Sequence, residues 1–120
     1  MPEKINLRIF DVVGSPVWVS TEDGQKVYEK IKAAFGAGRA VVLSFANRGN
    51  LITVFLNAAI GQLYNGDYSE KFLGENLSYA EISDDDRTMV GRAIGNAKRY
   101  FAHRPQFDAA WKEEVGNDEE

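Results

Sequence analysis

One stretch near the middle of the chain constrains the fold most. Residues 41–46 are mostly apolar, residues 47–50 carry no apolar side chain, and from Leu51 the apolar residues return at helical spacing. Such a short apolar run indicates a buried parallel strand, and the spacing that follows indicates a helix. Because ligands and partners dock where the strands of an open α/β sheet pass into helices, this junction is the predicted working surface.

Length and composition predict a single globular domain. The chain has 120 residues, enough for one core, with 44% hydrophobic and 27% charged residues. No stretch approaches the roughly 18 consecutive apolar residues of a membrane span, so no membrane association is expected. We expect the domain to span residues 1–105, and a C-terminal extension to span residues 106–120 as a short helix followed by an acidic tail.

The residue types also favour one cellular location and one kind of partner. Cysteine is absent, and the segment from Met1 to Asn6 lacks the basic-then-apolar profile of a secretory signal, so a cytoplasmic location is expected. The formal net charge of -4 disfavours broad binding to nucleic acid, which requires many Lys and Arg residues to neutralise phosphates. A protein is therefore the expected partner.

Four segments carry strand patterns. Residues 5–11 alternate between the two faces of a strand, and residues 17–19, after the turn residues 14–16, predict a short strand paired with them as a hairpin. Residues 40–45 are typical of a central strand buried on both faces. Residues 77–82 alternate again and predict the last strand.

Three segments carry helix patterns. Ser20 begins the first with a capping hydroxyl, and Gly36-Ala37-Gly38 ends it. The second spans residues 52–64, and the third begins at residues 83–86 and ends near residues 103–105. This order predicts an α/β domain with a mixed or mostly parallel sheet of about four strands, covered by amphipathic helices. The expected core includes Val41, Leu43, Phe55, Leu56, Ile60 and Ile94.

Metal and cofactor chemistry is not indicated by the residue types. His103 is the only histidine and cysteine is absent, so we expect no metal site and no cofactor. Three consecutive aspartates, residues 84–86, do not converge on one ion, and a helix dipole favours them at a helix start. Four basic residues lie near the end of the third predicted helix: Arg92, Lys98, Arg99 and Arg104. We interpret them as a solvated helix face, and contact with RNA or an acidic protein surface is the alternative.

Three segments give the chain a family resemblance. They are Ser20-Thr21-Glu22-Asp23-Gly24, Gly38-Arg39-Ala40-Val41-Val42-Leu43-Ser44-Phe45 and Ile52-Thr53-Val54-Phe55-Leu56. Over residues 5–102 the chain resembles the STAS-like family, a group of small bacterial domains of unassigned function. That family is related to the STAS domains of sulfate transporters and anti-sigma factor antagonists. The resemblance implies a STAS-like fold and a regulatory role.

The resemblance singles out one hydroxyl. In anti-sigma factor antagonists, a serine or threonine at the start of the second helix is phosphorylated by a histidine-kinase-like ATPase, and the matching residue here is Thr53. Ser44 and Ile52 stand where the family's pattern usually has acidic residues. Elementary electrostatics permits Thr53 to be a phosphoacceptor, because a helix N-terminus stabilises a phosphate, and also permits a plain helix cap.

The polar loop and the resemblance together predict a partner-binding surface formed by Asn47, Arg48, Asn50, Thr53 and Asn57. A polar loop held between two buried elements is typical of recognition surfaces, although an ordinary crossover loop has the same pattern. We expect a non-catalytic regulatory module that binds a protein, with a histidine-kinase-like ATPase as the candidate. Two alternatives stay open. One is a nucleic-acid-binding accessory protein, and the other is a small enzyme that uses Ser44, Thr53, Asp11 and Glu81.

Overall fold

A computed structural model describes residues 3–103 of the chain. In chain order its elements are β1 (Glu3–Arg8), α1 (Ile9–Val13), α2 (Thr21–Gly36), β2 (Arg39–Ser44), α3 (Thr53–Ala59), a 3₁₀ helix (Gly61–Tyr64), α4 (Glu70–Asn76), β3 (Leu77–Ala80) and α5 (Asp84–His103). The predicted terminal helix and acidic tail at residues 106–120 lie outside the described residues. Within residues 3–103, no helix is both long enough and apolar enough to cross a membrane.

The sheet is parallel throughout, with the strand order β1-β2-β3. The register aligns two rows of side chains that belong to the hydrophobic core or pack against it: Ile5, Val41 and Leu77, then Leu7, Leu43 and Tyr79. In the alternate row, Asn6 and Ser78 are exposed and Val42 is half-buried. The helices therefore cover one face of the sheet, as successive right-handed crossovers in one direction require.

The central strand was predicted correctly, but the number of strands was not. Within residues 3–103 the structure has three strands instead of about four. β1 ends at Arg8 because the chain turns into α1, which Gly14 closes with a left-handed φ of 85°. The predicted strand at residues 17–19 makes only an isolated parallel bridge, between Trp18 and Leu51, and forms no hairpin with β1.

Burial of Trp18 explains the missing strand. Its side chain is 0% exposed and its ring lies 5.8 Å from that of Phe45 and 6.0 Å from that of Phe55, measured between centroids. Its indole N–H donates to the carbonyl of Ser15 at 2.8 Å. The large ring is buried in the core and its N–H is satisfied. Residues 17–19 therefore lie beside the loop before α3 and not beside β1.

Local signals place α2 where the sequence predicts it. The Ser20 hydroxyl accepts a hydrogen bond from the backbone N–H of Asp23 at 3.0 Å, and Gly38 takes a left-handed φ of 77° after the helix end. The helix packs closely on α3 at Gly24. A Cβ added there would lie 2.6 Å from the carbonyl oxygen of Phe55 and 2.7 Å from Cβ of Ala58.

The second predicted helix, residues 52–64, is two shorter pieces. The α-helical part ends at Ala59, Ile60 adopts φ -120° and ψ -45°, and the 3₁₀ helix follows. The apolar side chains of this segment are nevertheless buried, Phe55, Leu56 and Ile60 all being 0% exposed. The break therefore interrupts the helix axis while leaving the apolar stripe in the core.

Candidate functional site

The carboxyl ends of the three strands bring the candidate residues to one edge of the sheet. Arg8, Ser44 and Ala80 are aligned in register, and each is the last residue of its strand. The segment between β2 and α3, residues 45–52, leaves this edge and crosses toward the helices. We call this segment the junction loop.

At this edge Ser44 and Glu81 form a hydrogen-bonded pair that the sequence did not reveal. The Ser44 hydroxyl donates to Oε1 of Glu81 at 2.7 Å and accepts from the backbone N–H of Ala46 at 3.2 Å. Ser44 is 0% exposed. The Ser44 hydroxyl thus links the end of β2 to Glu81, which follows the neighbouring strand β3.

Two residues that are not glycine hold left-handed backbone conformations at the same edge. Asn47, in the junction loop, has φ 63°, and Glu81, just after β3, has φ 53°. Asparagine tolerates this region better than glutamate does, because its short amide bonds locally. Non-glycine residues in this region persist only where the surroundings fix them, and they cluster at functional sites.

On one side, backbone hydrogen bonds tether the junction loop to residues 16–18. The N–H of Gly49 donates to the carbonyl of Pro16 at 2.8 Å, and the N–H of Trp18 donates to the carbonyl of Asn50 at 2.7 Å. The N–H of Ile52 returns to the carbonyl of Trp18 at 3.2 Å. A Cβ at Gly49 would lie 2.8 Å from the Pro16 oxygen, so glycine permits this close approach.

On its other side, the loop is tied to α5 by Arg48. The guanidinium donates through Nε and Nη2 to the two carboxylate oxygens of Asp86, each at 2.9 Å, and through Nη1 to the carbonyl of Gly49 at 2.7 Å. Asp86 is 3% exposed. The sequence interpretation assigned residues 84–86 to the helix dipole alone, which is incomplete, because Asp86 also anchors the loop. Nothing local in the sequence marks this pairing.

The tethered loop presents polar side chains to solvent. Asn47 and Asn50 are exposed, and Thr53 is half-buried. The N-cap position of α3 is occupied by Ile52, with no side-chain hydrogen bond, so the alternative of Thr53 as the helix cap is wrong. Thr53 is instead the first residue of the helix.

Two exposed apolar side chains flank the same tether, and the sequence analysis did not include either of them in the predicted binding surface. Val17 is 42% exposed and Ile52 is 45% exposed. Each is a chain neighbour of one partner in the Trp18–Leu51 bridge. Side chains alternate along such paired segments, so Val17 and Ile52 lie on the face opposite to Trp18 and Leu51.

Asn57 corrects the predicted surface. It is 0% exposed, so it does not present its amide beside the loop as expected. Its position four residues after Thr53 suggested a shared exposed face, but packing of the short helix buries that turn. Neither polar atom of its amide has a hydrogen-bond partner within residues 3–103.

Three of the other polar candidates, Asp11, Lys98 and Arg99, have structural partners. Oδ2 of Asp11 lies 3.9 Å from Nε of Arg8, and the two side chains form an exposed ion pair. In the basic group, Lys98 pairs with Glu70 at 2.9 Å and Arg99 donates to Asn96, while Arg104 lies outside the described residues. Within the described range, no group of three or more acidic, His or Cys residues is placed to hold a metal ion.

Among the described residues, two of the clefts lie away from the junction loop. One, of about 220 Å³, lies between the end of β3 and α5, and the other, of about 300 Å³, lies beside the end of α5. The first is lined by Tyr79, Ile82, Arg87, Val90, Gly91 and Ile94. Burial raises the pKa of the Tyr79 phenol above its ordinary value, so this side chain is neutral at physiological pH.

The fold and the junction define a small two-layer α/β domain built from successive βα units. The chain belongs to the STAS-like domain family of unknown function, DUF4325, whose family model matches residues 23–87. The match contains the junction loop, Glu81 and both members of the Arg48–Asp86 pair. No curated protein and no solved structure matched the chain.

Proposed function

We propose that this STAS-like domain is a non-catalytic regulatory module that binds a protein partner through the junction loop and the start of α3. The binding residues are Asn47, Arg48, Asn50 and Thr53 from the sequence prediction, together with Val17 and Ile52. The family resemblance makes a histidine-kinase-like ATPase the candidate partner. Phosphorylation of Thr53 is the proposed switch.

The observation that carries the proposal is the double tethering of an exposed polar loop. Its backbone is bonded to residues 16–18 on one side, and Arg48 bonds Asp86 on the other. A loop that is already ordered loses little conformational entropy when a partner binds, so more of the contact energy contributes to affinity. The exposed amides of Asn47 and Asn50 supply donors and acceptors, and Ile52 supplies apolar area.

The position of Thr53 supports a switch. As the first residue of α3 it is half-buried and follows directly on Ile52. A phosphate there would add a charge of about -1.5 to -2 and three acceptor oxygens to the edge of the surface. Such a charge changes complementarity to a partner without requiring the core to repack.

The surroundings of Ser44 support the non-catalytic part of the proposal. A serine nucleophile must present its oxygen to substrate and pass its proton to a base. Ser44 is 0% exposed, and its hydroxyl already bridges Glu81 and the N–H of Ala46. This pair is best explained as a brace between β2 and the residue that follows β3.

The test is affinity capture from the native host with four baits: the wild-type chain, Thr53→Glu, Asn50→Ala and Ala33→Glu. Ala33 is exposed on α2, which ends at the opposite edge of the sheet, so its variant controls for added charge. We expect one partner to be captured by wild type and Ala33→Glu and to be lost with Thr53→Glu, with Asn50→Ala reduced. Thermal melts of all four proteins establish that folding is unchanged.

The identity of the switch is tested on the captured complex. Incubation with ATP should place a phosphate on the peptide that contains Thr53, detected by mass spectrometry, and Thr53→Ala should remove it. Equal capture by wild type and Thr53→Glu would remove Thr53 from the interface. A partner that binds every bait, including an Asn50→Ala/Ile52→Asp double variant, would place the interface elsewhere on the domain.

A further inference from the structure

Two amide side chains are buried near the end of α3, and they differ in how they are satisfied. Gln62, 8% exposed, donates to the carbonyl of Ala58 at 2.7 Å and to Oε1 of Gln25 at 2.8 Å. Asn57, 0% exposed, has no partner for either amide atom among the described residues. A buried amide without partners destabilises the state that buries it, whereas a paired one does not.

The ends of α3 give it few local restraints. It has only seven residues, and its N-cap, Ile52, has no side-chain hydrogen bond to the first turn. At the other end, Ile60 departs from helical geometry with φ -120° and ψ -45°. A short helix with an uncapped start and a break at its end depends on tertiary packing for its stability.

One side of α3 packs closely on α2. A Cβ added at Gly24 on α2 would lie close to atoms of Phe55, Ala58 and Ala59. At 100° per residue, Asn57 lies on nearly the opposite side of the helix from the middle of that contact. The unpartnered amide is thus on the side away from α2. Because residues 55–59 are all 0% exposed and α3 also contacts α5, water reaches this amide only if α3 rotates or unwinds.

We propose that α3 is a movable element. In the free chain it opens about Ile60 to a minor state in which the Asn57 amide is hydrated, while α2 and β2 keep their structure. Burial of Phe55 and Leu56 favours the closed state, and the unpartnered amide lowers the cost of opening. This inference concerns the free protein, so it holds or fails independently of any partner at the junction loop.

Hydrogen exchange of the full chain, followed residue by residue by NMR, tests the opening. In the wild type we expect the amides of α3 that bond within the helix to exchange at least ten-fold faster than those of β2 and the buried face of α2. Asn57→Leu should slow exchange in α3 about ten-fold and leave the rates in β2 nearly unchanged. Asn57→Ala, which adds no volume, should also slow it.

Gln62→Leu is the matched control, because it removes a buried amide that is fully paired. It should speed exchange in α3 and the 3₁₀ helix. Two results would overturn the proposal. One is wild-type protection in α3 equal to that in β2. The other is faster exchange in both Asn57 variants, which would show that the Asn57 amide stabilises the closed state through bonds to internal water.

Discussion

The Arg48 guanidinium and the Asp86 carboxylate face each other with two hydrogen bonds of 2.9 Å, although the residues are 38 positions apart. The side chain of Asp86 is 5% exposed and that of Arg48 is 34% exposed. The pair joins the junction loop to the first turn of α5. It therefore couples the candidate binding surface to the helix that follows β3.

Breaking this pair should destabilise the domain, because a buried carboxylate would lose its partner. We expect Arg48→Ala to lower the free energy of unfolding by about 1–3 kcal/mol, with a similar loss for Asp86→Ala. The free energy of unfolding lost in the double variant should be clearly smaller than the sum of the losses in the two single variants. Chemical denaturation of the four proteins gives the coupling energy, and a value below about 0.5 kcal/mol would mean that the pair contributes little.

Leu56 should contribute strongly to stability, because it is 0% exposed in the core. Leu56→Ala removes buried apolar area and leaves a cavity, so we expect a loss of about 2–5 kcal/mol. Ile52→Ala, four residues earlier and 45% exposed, should cost less than about 1 kcal/mol. Urea unfolding of both variants makes the comparison, and equal losses would contradict the burial of α3.

Gly24 and Gly91 should respond in opposite directions to alanine. A Cβ at Gly24 would meet the Phe55 oxygen at 2.6 Å, so Gly24→Ala must push α2 and α3 apart and should cost about 1–3 kcal/mol. A Cβ at Gly91, inside α5, meets nothing within 4 Å, so Gly91→Ala should stabilise by about 0.5–1 kcal/mol through helix propensity. Thermal melts of the two variants should show a lower melting temperature for Gly24→Ala and a higher one for Gly91→Ala than for the wild type.

Alkaline pH should weaken the fold through Tyr79. Burial raises the pKa of this phenol above 10.0, so the unfolded chain releases the proton at lower pH than the folded chain does. The neutral Tyr79 contributes its full stabilisation below about pH 10. Above that pH, its contribution to the free energy of unfolding falls by about 1.4 kcal/mol per pH unit.

The comparison that isolates this effect is Tyr79→Phe. Between about pH 9 and about pH 11, the variant should lose about 1 kcal/mol less stability than the wild type. Tyr28 and Tyr64, whose pKa values burial also raises, remain in both proteins, so the variant still weakens at high pH. Parallel pH profiles in urea unfolding would contradict the role of Tyr79.

The part of the fold set by local pattern was predicted from the sequence. The apolar run at residues 40–45 is the central strand β2, with bounds Arg39–Ser44, and Ser20 caps α2 as its hydroxyl predicted. The strand at residues 77–82 is present in shortened form as β3. Periodicity and capping depend on residues that are close together in the chain. These elements can therefore be predicted without a structure.

The errors have tertiary causes. Residues 17–19 have strand-forming side chains, but the 0% exposed ring of Trp18 fixes the segment beside the junction loop, so the fourth strand is absent. The break at Ile60 divides the second helix without interrupting its apolar stripe. Asn57 follows the polar spacing of a surface residue and is nevertheless buried, because helical spacing does not say which neighbours cover a turn.

The sequence by itself determined an α/β arrangement with a mixed or mostly parallel sheet, the place where β2 passes into α3 and the polar character of the loop between them. Only the tertiary structure decided that Arg48 pairs with Asp86, that Ser44 meets Glu81 and that Trp18 pairs with Leu51. Strands and caps are fixed by contiguous residues, whereas these pairs join segments that meet only after the crossovers have closed. Their geometry follows from chain topology and packing, which no local pattern records.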